Sequence, residues 1–137
     1  MTSLPIYTLS DAVAALRRGD EALVGVAGRS MLPYLRPGRD VALLRPADGI
    51  FHSGDIVLAR WGDVVVLHRV ISADGKGLTL MGDGNLQQTE RVGVEDVIGR
   101  VDMVCRDGEL TFKPSKACLW RRLRPLRRVF LKIMFWL

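Results

Sequence analysis

Gly28-Arg29-Ser30-Met31-Leu32-Pro33 and Val66-Leu67-His68-Arg69-Val70 place a serine in a turn and a histidine in a strand, in a chain with only two histidines. That pairing implies serine-hydrolase chemistry. A hydroxyl is a weak nucleophile until a neighbouring base takes its proton, and a third group must orient that base. Asp83, in Leu80-Met81-Gly82-Asp83-Gly84-Asn85, is a candidate for the third group. Serine hydrolases without a histidine base use a desolvated lysine instead. Here Lys76 falls in the turn Asp74-Gly75-Lys76-Gly77, while Lys113, Lys116 and Lys132 lie in or near the C-terminal segment. None occupies an apolar strand position. His52 sits in the turn-like Gly49-Ile50-Phe51-His52-Ser53-Gly54, which leaves His68 as the better base.

The elements that must position these groups are short. Alternation over 64–71 puts Val64, Val66, His68 and Val70 on one strand face. His68 therefore projects among apolar neighbours, an address that also suits a core histidine bonded to backbone. Ser30 by itself reads as a turn former. Yet Met31, Leu32, Tyr34 and Leu35 make its loop apolar, so it must lie against another surface, and a packed loop holds its serine in place. Gly82-Asp83-Gly84-Asn85 also suits an ordinary hairpin turn, and it lacks the alternating acidic ligands and terminal glutamate of a calcium loop.

Around these motifs the pattern predicts a mainly β domain, with strands at 22–27, 40–44, 55–60, 64–71, 78–81, 97–105 and 109–113 separated by Gly and Asp turns. Residues 10–19 read as a helix with Ser10 as N-cap, Asp11 in its first turn, Arg17 and Arg18 in its last, and Gly19 as its stop. A chain of 137 residues, 48% hydrophobic, fits one domain with a proper core. Cys105 and Cys118 form neither a metal-binding pattern nor a disulfide framework, which favours a reducing compartment and no metal or cofactor.

The net charge of +5 is carried by one appended element. From Lys113 onward lysine and arginine face no acidic residue, and the remaining body is mildly acidic, so nucleic-acid binding is not indicated. Along 116–137, Leu119, Leu123, Leu126, Phe130, Ile133 and Leu137 recur at helical steps, with Arg121, Arg122, Arg124, Arg128 and Lys132 largely off that stripe. This predicts a basic amphipathic helix, kinked at Pro125, so the chain divides into a catalytic domain, 1–113, and a helical segment, 114–137. Trp120 and Trp136 among the arginines suit an anionic membrane surface; docking on the domain or on a partner suits the pattern equally.

Taken in order, Gly28-Arg29-Ser30-Met31-Leu32-Pro33, Gly54-Asp55-Ile56-Val57, Leu67-His68-Arg69-Val70, Gly82-Asp83-Gly84-Asn85 and Asp96-Val97-Ile98-Gly99-Arg100-Val101 resemble the successive motifs of type I signal peptidases, serine peptidases of the S24/S26 type. The resemblance spans about residues 22 to 105 and is closest to the endoplasmic-reticulum and archaeal members, which have histidine at the base position. It implies an antiparallel β domain with an extended groove, Ser30 as nucleophile, His68 as general base and Asp83 as orienting or site-supporting acid. Met31 and Pro33 would bind substrate, and the Ser30 backbone N–H would serve the oxyanion. Substrate would enter as an added strand, with small side chains in shallow pockets beside the cleaved bond.

Gly28 stands where some members carry an oxyanion serine, and Glu90, in Gln87-Gln88-Thr89-Glu90, is the alternative acid where histidine-type enzymes have a second aspartate. Residues 1–11 lack a basic flank and a long apolar run, so the N-terminal anchor usual in signal peptidases is not expected. The expectation is cleavage of a leader or signal-like peptide in a specialised maturation task, in the cytoplasm and peripherally at the inner face of a bacterial membrane. A peptide-binding or regulatory module without turnover is the alternative. A self-cleaving repressor-type regulator fits less well, because those proteins resemble the serine-lysine type and carry an internal cleavage segment.

Overall fold

The computed structural model describes residues 6–26, 30–32, 34–84, 88–106 and 109–112. Among the described residues nine strands form one sheet: β1 Ile6–Tyr7, β2 Ala22–Gly25, β3 Asp40–Pro46, β4 Ile56–Trp61, β5 Val64–Asp74, β6 Gly77–Met81, β7 Glu90–Val92, β8 Val97–Arg106 and β9 Glu109–Phe112. Their order is β1-β2-β3-β8-β4-β5-β6-β7, with β9 against β8. Among these strands only the β1–β2 pairing is parallel. The mainly β reading is thus the fold, and the predicted strands are present with modest shifts of their ends. Two strands carried no period-two signal because they are so short, β1 and β7. The second of these holds Glu90.

The sheet is apolar on both faces, which the alternation along β4 makes plain. Ile56 and Leu58 join one cluster with Leu44, Val101, Met31 and Leu35, while Val57 and Ala59 join another with Val70, Leu80, Val92 and Val97. The first face is covered by α1 Leu9–Arg17 and by the loop after β2. Leu16 reaches β8 at Gly99, where an added Cβ would come within 2.9 Å of the leucine methyl. The second face is closed by the sheet itself: β7 comes back to touch β4, although β5 and β6 separate them in the hydrogen-bonded order.

The helix starts earlier than predicted. Thr8, not Ser10, is its N-cap, accepting from the Asp11 N–H at 3.4 Å while its hydroxyl donates to Asp11 Oδ2 at 2.9 Å. An oxygen at the cap reaches the N–H three residues on, so the acid at 11 selects Thr8. Residues 113–137, including the predicted amphipathic helix and the segment boundary at 113/114, lie outside the described residues. Among the described residues, no helix is long and apolar enough to cross a membrane.

Candidate active site

Ser30 follows β2 in a loop whose apolar side chains are buried as its composition required: Met31, Leu32 and Leu35. Two polar anchors fix that loop. At its far end, the Asp40 carboxylate accepts from the Arg36 N–H at 2.9 Å and from Arg106 Nε and Nη2 at 2.8 Å each, and Arg106 Nη2 also donates to the Tyr34 carbonyl. Burial pushes the Asp40 carboxyl up, but the Arg106 hydrogen bonds, the Arg36 N–H and nearby positive charge outweigh it and hold the group below the usual carboxylate range. At its near end, the Gly84 N–H donates to the Ser30 carbonyl at 2.6 Å, and the Asp83 N–H approaches Met31 Sδ at 3.4 Å.

The turn after β6 therefore presses directly on the Ser30 backbone, and this explains its glycine. A Cβ on Gly82 would lie 2.4 Å from the Ser30 carbonyl oxygen, 3.1 Å from Ser30 Cβ and 3.2 Å from His68 Nε2. Ser30 and the imidazole thus crowd the same point from two sides. Sequence reasoning singled out this motif for Asp83, one of two candidate acids; its first residue matters through the side chain it lacks.

His68 and Arg69 are neighbours on β5 and point to opposite faces. His68 is 8% exposed, and its Nδ1 is hydrogen-bonded to Glu90 Oε1 on β7, itself 2% exposed. An ionised carboxylate can only accept, so Nδ1 donates to it; in the neutral ring this leaves the lone pair on Nε2, the atom facing Gly82 and Ser30. Among the described residues no hydrogen bond joins Ser30 Oγ to the ring.

Asp83 is placed elsewhere. Both its oxygens accept from Arg69, from Nε and Nη2 at 2.8 Å each, and Arg69 Nη1 donates to the Gly54 carbonyl at 2.8 Å. The guanidinium also lies 4.7 Å from the centroid of the Tyr34 ring. Arg69 is 1% exposed and Asp83 5%. One buried arginine thereby ties the serine loop, the Gly54 turn and the Gly82-Asp83-Gly84 turn together. Sequence reasoning assigned Arg69 no role, although a charged residue inside an otherwise apolar strand signals a buried partner.

An open strand edge lies along the same strand. Val64–His68 pairs with β4 on one edge, whereas β6 begins pairing only at Arg69, so among the described residues no strand occupies the other edge. Beside it opens a cavity of about 430 Å³ to which Ser30, Met31 and His68 contribute. Gly28 and Pro33 lie outside the described residues.

No curated protein matches the chain. A family model does: the one described as Peptidase S24-like matches residues 5–102, a span that holds Ser30, His68, Asp83 and Glu90 together with the strands that carry them. With most of its length so matched, the chain belongs to the Peptidase S24-like family, a family of serine-peptidase type.

Proposed function

We propose that the chain is a serine endopeptidase of signal-peptidase-like mechanism, cleaving a leader or signal-like peptide bound as an extended strand. The observation that carries this reading is the His68 ring, with Nδ1 on a buried carboxylate and Nε2 directed to the point that Ser30 also crowds. In this mechanism Ser30 Oγ attacks the peptide carbonyl as His68 Nε2 takes its proton. The imidazolium so formed is stabilised by Glu90, then protonates the departing amine, leaving an acyl-enzyme on Ser30. Water repeats the sequence on the ester and releases the acid. The placement of Glu90 supports it over Asp83 as the acid that orients His68, and leaves Asp83 the task of supporting the site through Arg69.

The edge of Val64–His68 that no described strand occupies suits addition of a peptide strand, whose main-chain bonds would lay it across Ser30. Incubating the full chain with randomised peptides, beside Ser30→Ala and His68→Ala, tests the chemistry by mass spectrometry. Cleavage by the native chain alone is expected; equal cleavage by all three would overturn the assignment. The missing Ser30–His68 hydrogen bond favours a second reading, a peptide-binding module without turnover. Catalytic hydrogen bonds often close only when substrate is bound, which keeps the enzyme reading ahead. Peripheral contact of 116–137 with anionic membrane, at the inner face, belongs to the same proposal and is tested by co-sedimentation with anionic against neutral vesicles.

A further inference from the structure

The cavity beside Ser30 and His68 is far larger than an alanine methyl requires. Its volume, about 430 Å³, falls among pockets that enclose whole small-molecule ligands, roughly 300 to 1,000 Å³. Its lining is aliphatic: the fully buried Leu44 and Leu58, with Val24, Met31, Val65 and Leu67. Among the described residues that line it, His68 alone bears an ionisable side chain. Leu9, which also contributes to the lining, is 42% exposed, so the apolar surface continues to solvent. Water in such a space finds few polar partners, and an apolar side chain that displaces it gains the full benefit of burial.

Position decides what that side chain belongs to. The open edge of Val64–His68 runs along the cavity, because Val65, Val66, Leu67 and His68 all contribute to its wall. A peptide laid on that edge presents alternate side chains to one face, and the residue whose carbonyl meets Ser30 is held where Ser30 itself borders the cavity. Resting on the peptidase reading of Ser30 and His68, we propose that this pocket selects a large aliphatic or aromatic side chain, leucine or phenylalanine in preference to alanine, on the residue whose carbonyl is attacked. The small side chains and shallow pockets implied by resemblance to signal peptidases are thereby replaced in this chain by bulk and depth.

The test uses blocked peptides with randomised flanks and one fixed position carrying Ala, Val, Leu or Phe. Cleavage by the full chain is read by mass spectrometry, and binding to the Ser30→Ala chain by fluorescence anisotropy. Leu and Phe peptides are expected to bind, and to be cut at the fixed residue, at least tenfold better than Ala peptides. Val65→Trp, which narrows the pocket from a half-buried strand position, should abolish that advantage. Equal or tighter binding of Ala peptides overturns the inference, as does binding of none, or a leucine preference that survives Val65→Trp. Selective binding without any cleavage supports the pocket and overturns the peptidase reading instead.

Discussion

His68 and Arg69 are adjacent on one strand, each paired with a buried carboxylate from a later part of the chain, yet the two pairs are built for different ends. Arg69 meets Asp83 through two parallel bonds, caps Gly54 with a third nitrogen and faces Tyr34. Its charge is permanent and its fork geometry is fixed, so the pair acts as a tie between loops. His68 meets Glu90 through one nitrogen and turns the other to Ser30. Its proton is exchangeable, and the carboxylate fixes which nitrogen offers the lone pair. Strand alternation thus places a fixed ion pair and an imidazole–carboxylate pair back to back.

Exchanging carboxylate for amide should separate them most sharply. Glu90→Gln lets an amide N–H donate to Nδ1 and moves the ring proton to Nε2, where it blocks general-base action. Turnover is expected to fall by about 10⁴-fold, as in other Ser-His-acid sites that lose the orienting carboxylate, while the fold is kept. Glu90→Asp should recover part of the loss. The kcat of the three proteins on one cleaved peptide, with circular dichroism of each, checks this; an undiminished kcat in Glu90→Gln would show that Glu90 does not orient His68.

The converse holds for the tie. Asp83→Ala leaves Arg69 buried without its anion, which costs about 3–5 kcal/mol. Urea denaturation should show that loss, and the double substitution Arg69→Met with Asp83→Leu should recover much of it. If Asp83→Ala proved as stable as the native chain but inactive, the contrast between the pairs would collapse.

The sequence conveyed one side of this contrast better than the other. The placement of Ser30 and His68 was legible because an apolar loop must pack and because period-two alternation fixes the face on which a strand residue lies. The sequence offered two candidates for the orienting acid, Glu90 and, ahead of it, Asp83. Its true partner depends on which strands lie side by side, and that is long-range information. Glu90 sits in a three-residue strand too short to show periodicity, and its face is set by pairing with Leu80 on β6. The bulge between Val70 and Ser72, which shifts the β5–β6 register, is likewise a property of two strands at once.

Gly82→Ala probes the space between the pairs. The new methyl meets backbone, the Ser30 carbonyl oxygen at 2.4 Å, so the serine loop or the turn must move. A stability loss of about 1–3 kcal/mol is expected. Activity should fall further than folding does, since a displacement of about 1 Å at a nucleophile can cost on the order of 10²-fold. Activity measured well below the melting temperature separates the two effects.

The smallest effect is expected at the outer anchor of the same loop, where Asp40 is buried but its partner Arg106 is partly exposed. Asp40's carboxyl is held below its ordinary value, against the upward push of burial, by Arg106 and the Arg36 N–H. A lowered folded-state pKa means that the contribution is fully present above the unfolded-chain value near 3.8 and is lost as pH falls through the lower folded-state value. Melting temperature followed from neutral pH into acid should therefore drop more steeply for the native chain than for Asp40→Asn, the two curves converging at the acid end. Parallel curves would show that Asp40 does not anchor the loop through its charge, and would leave Arg69 and Asp83 as the tie that sets where Ser30 stands.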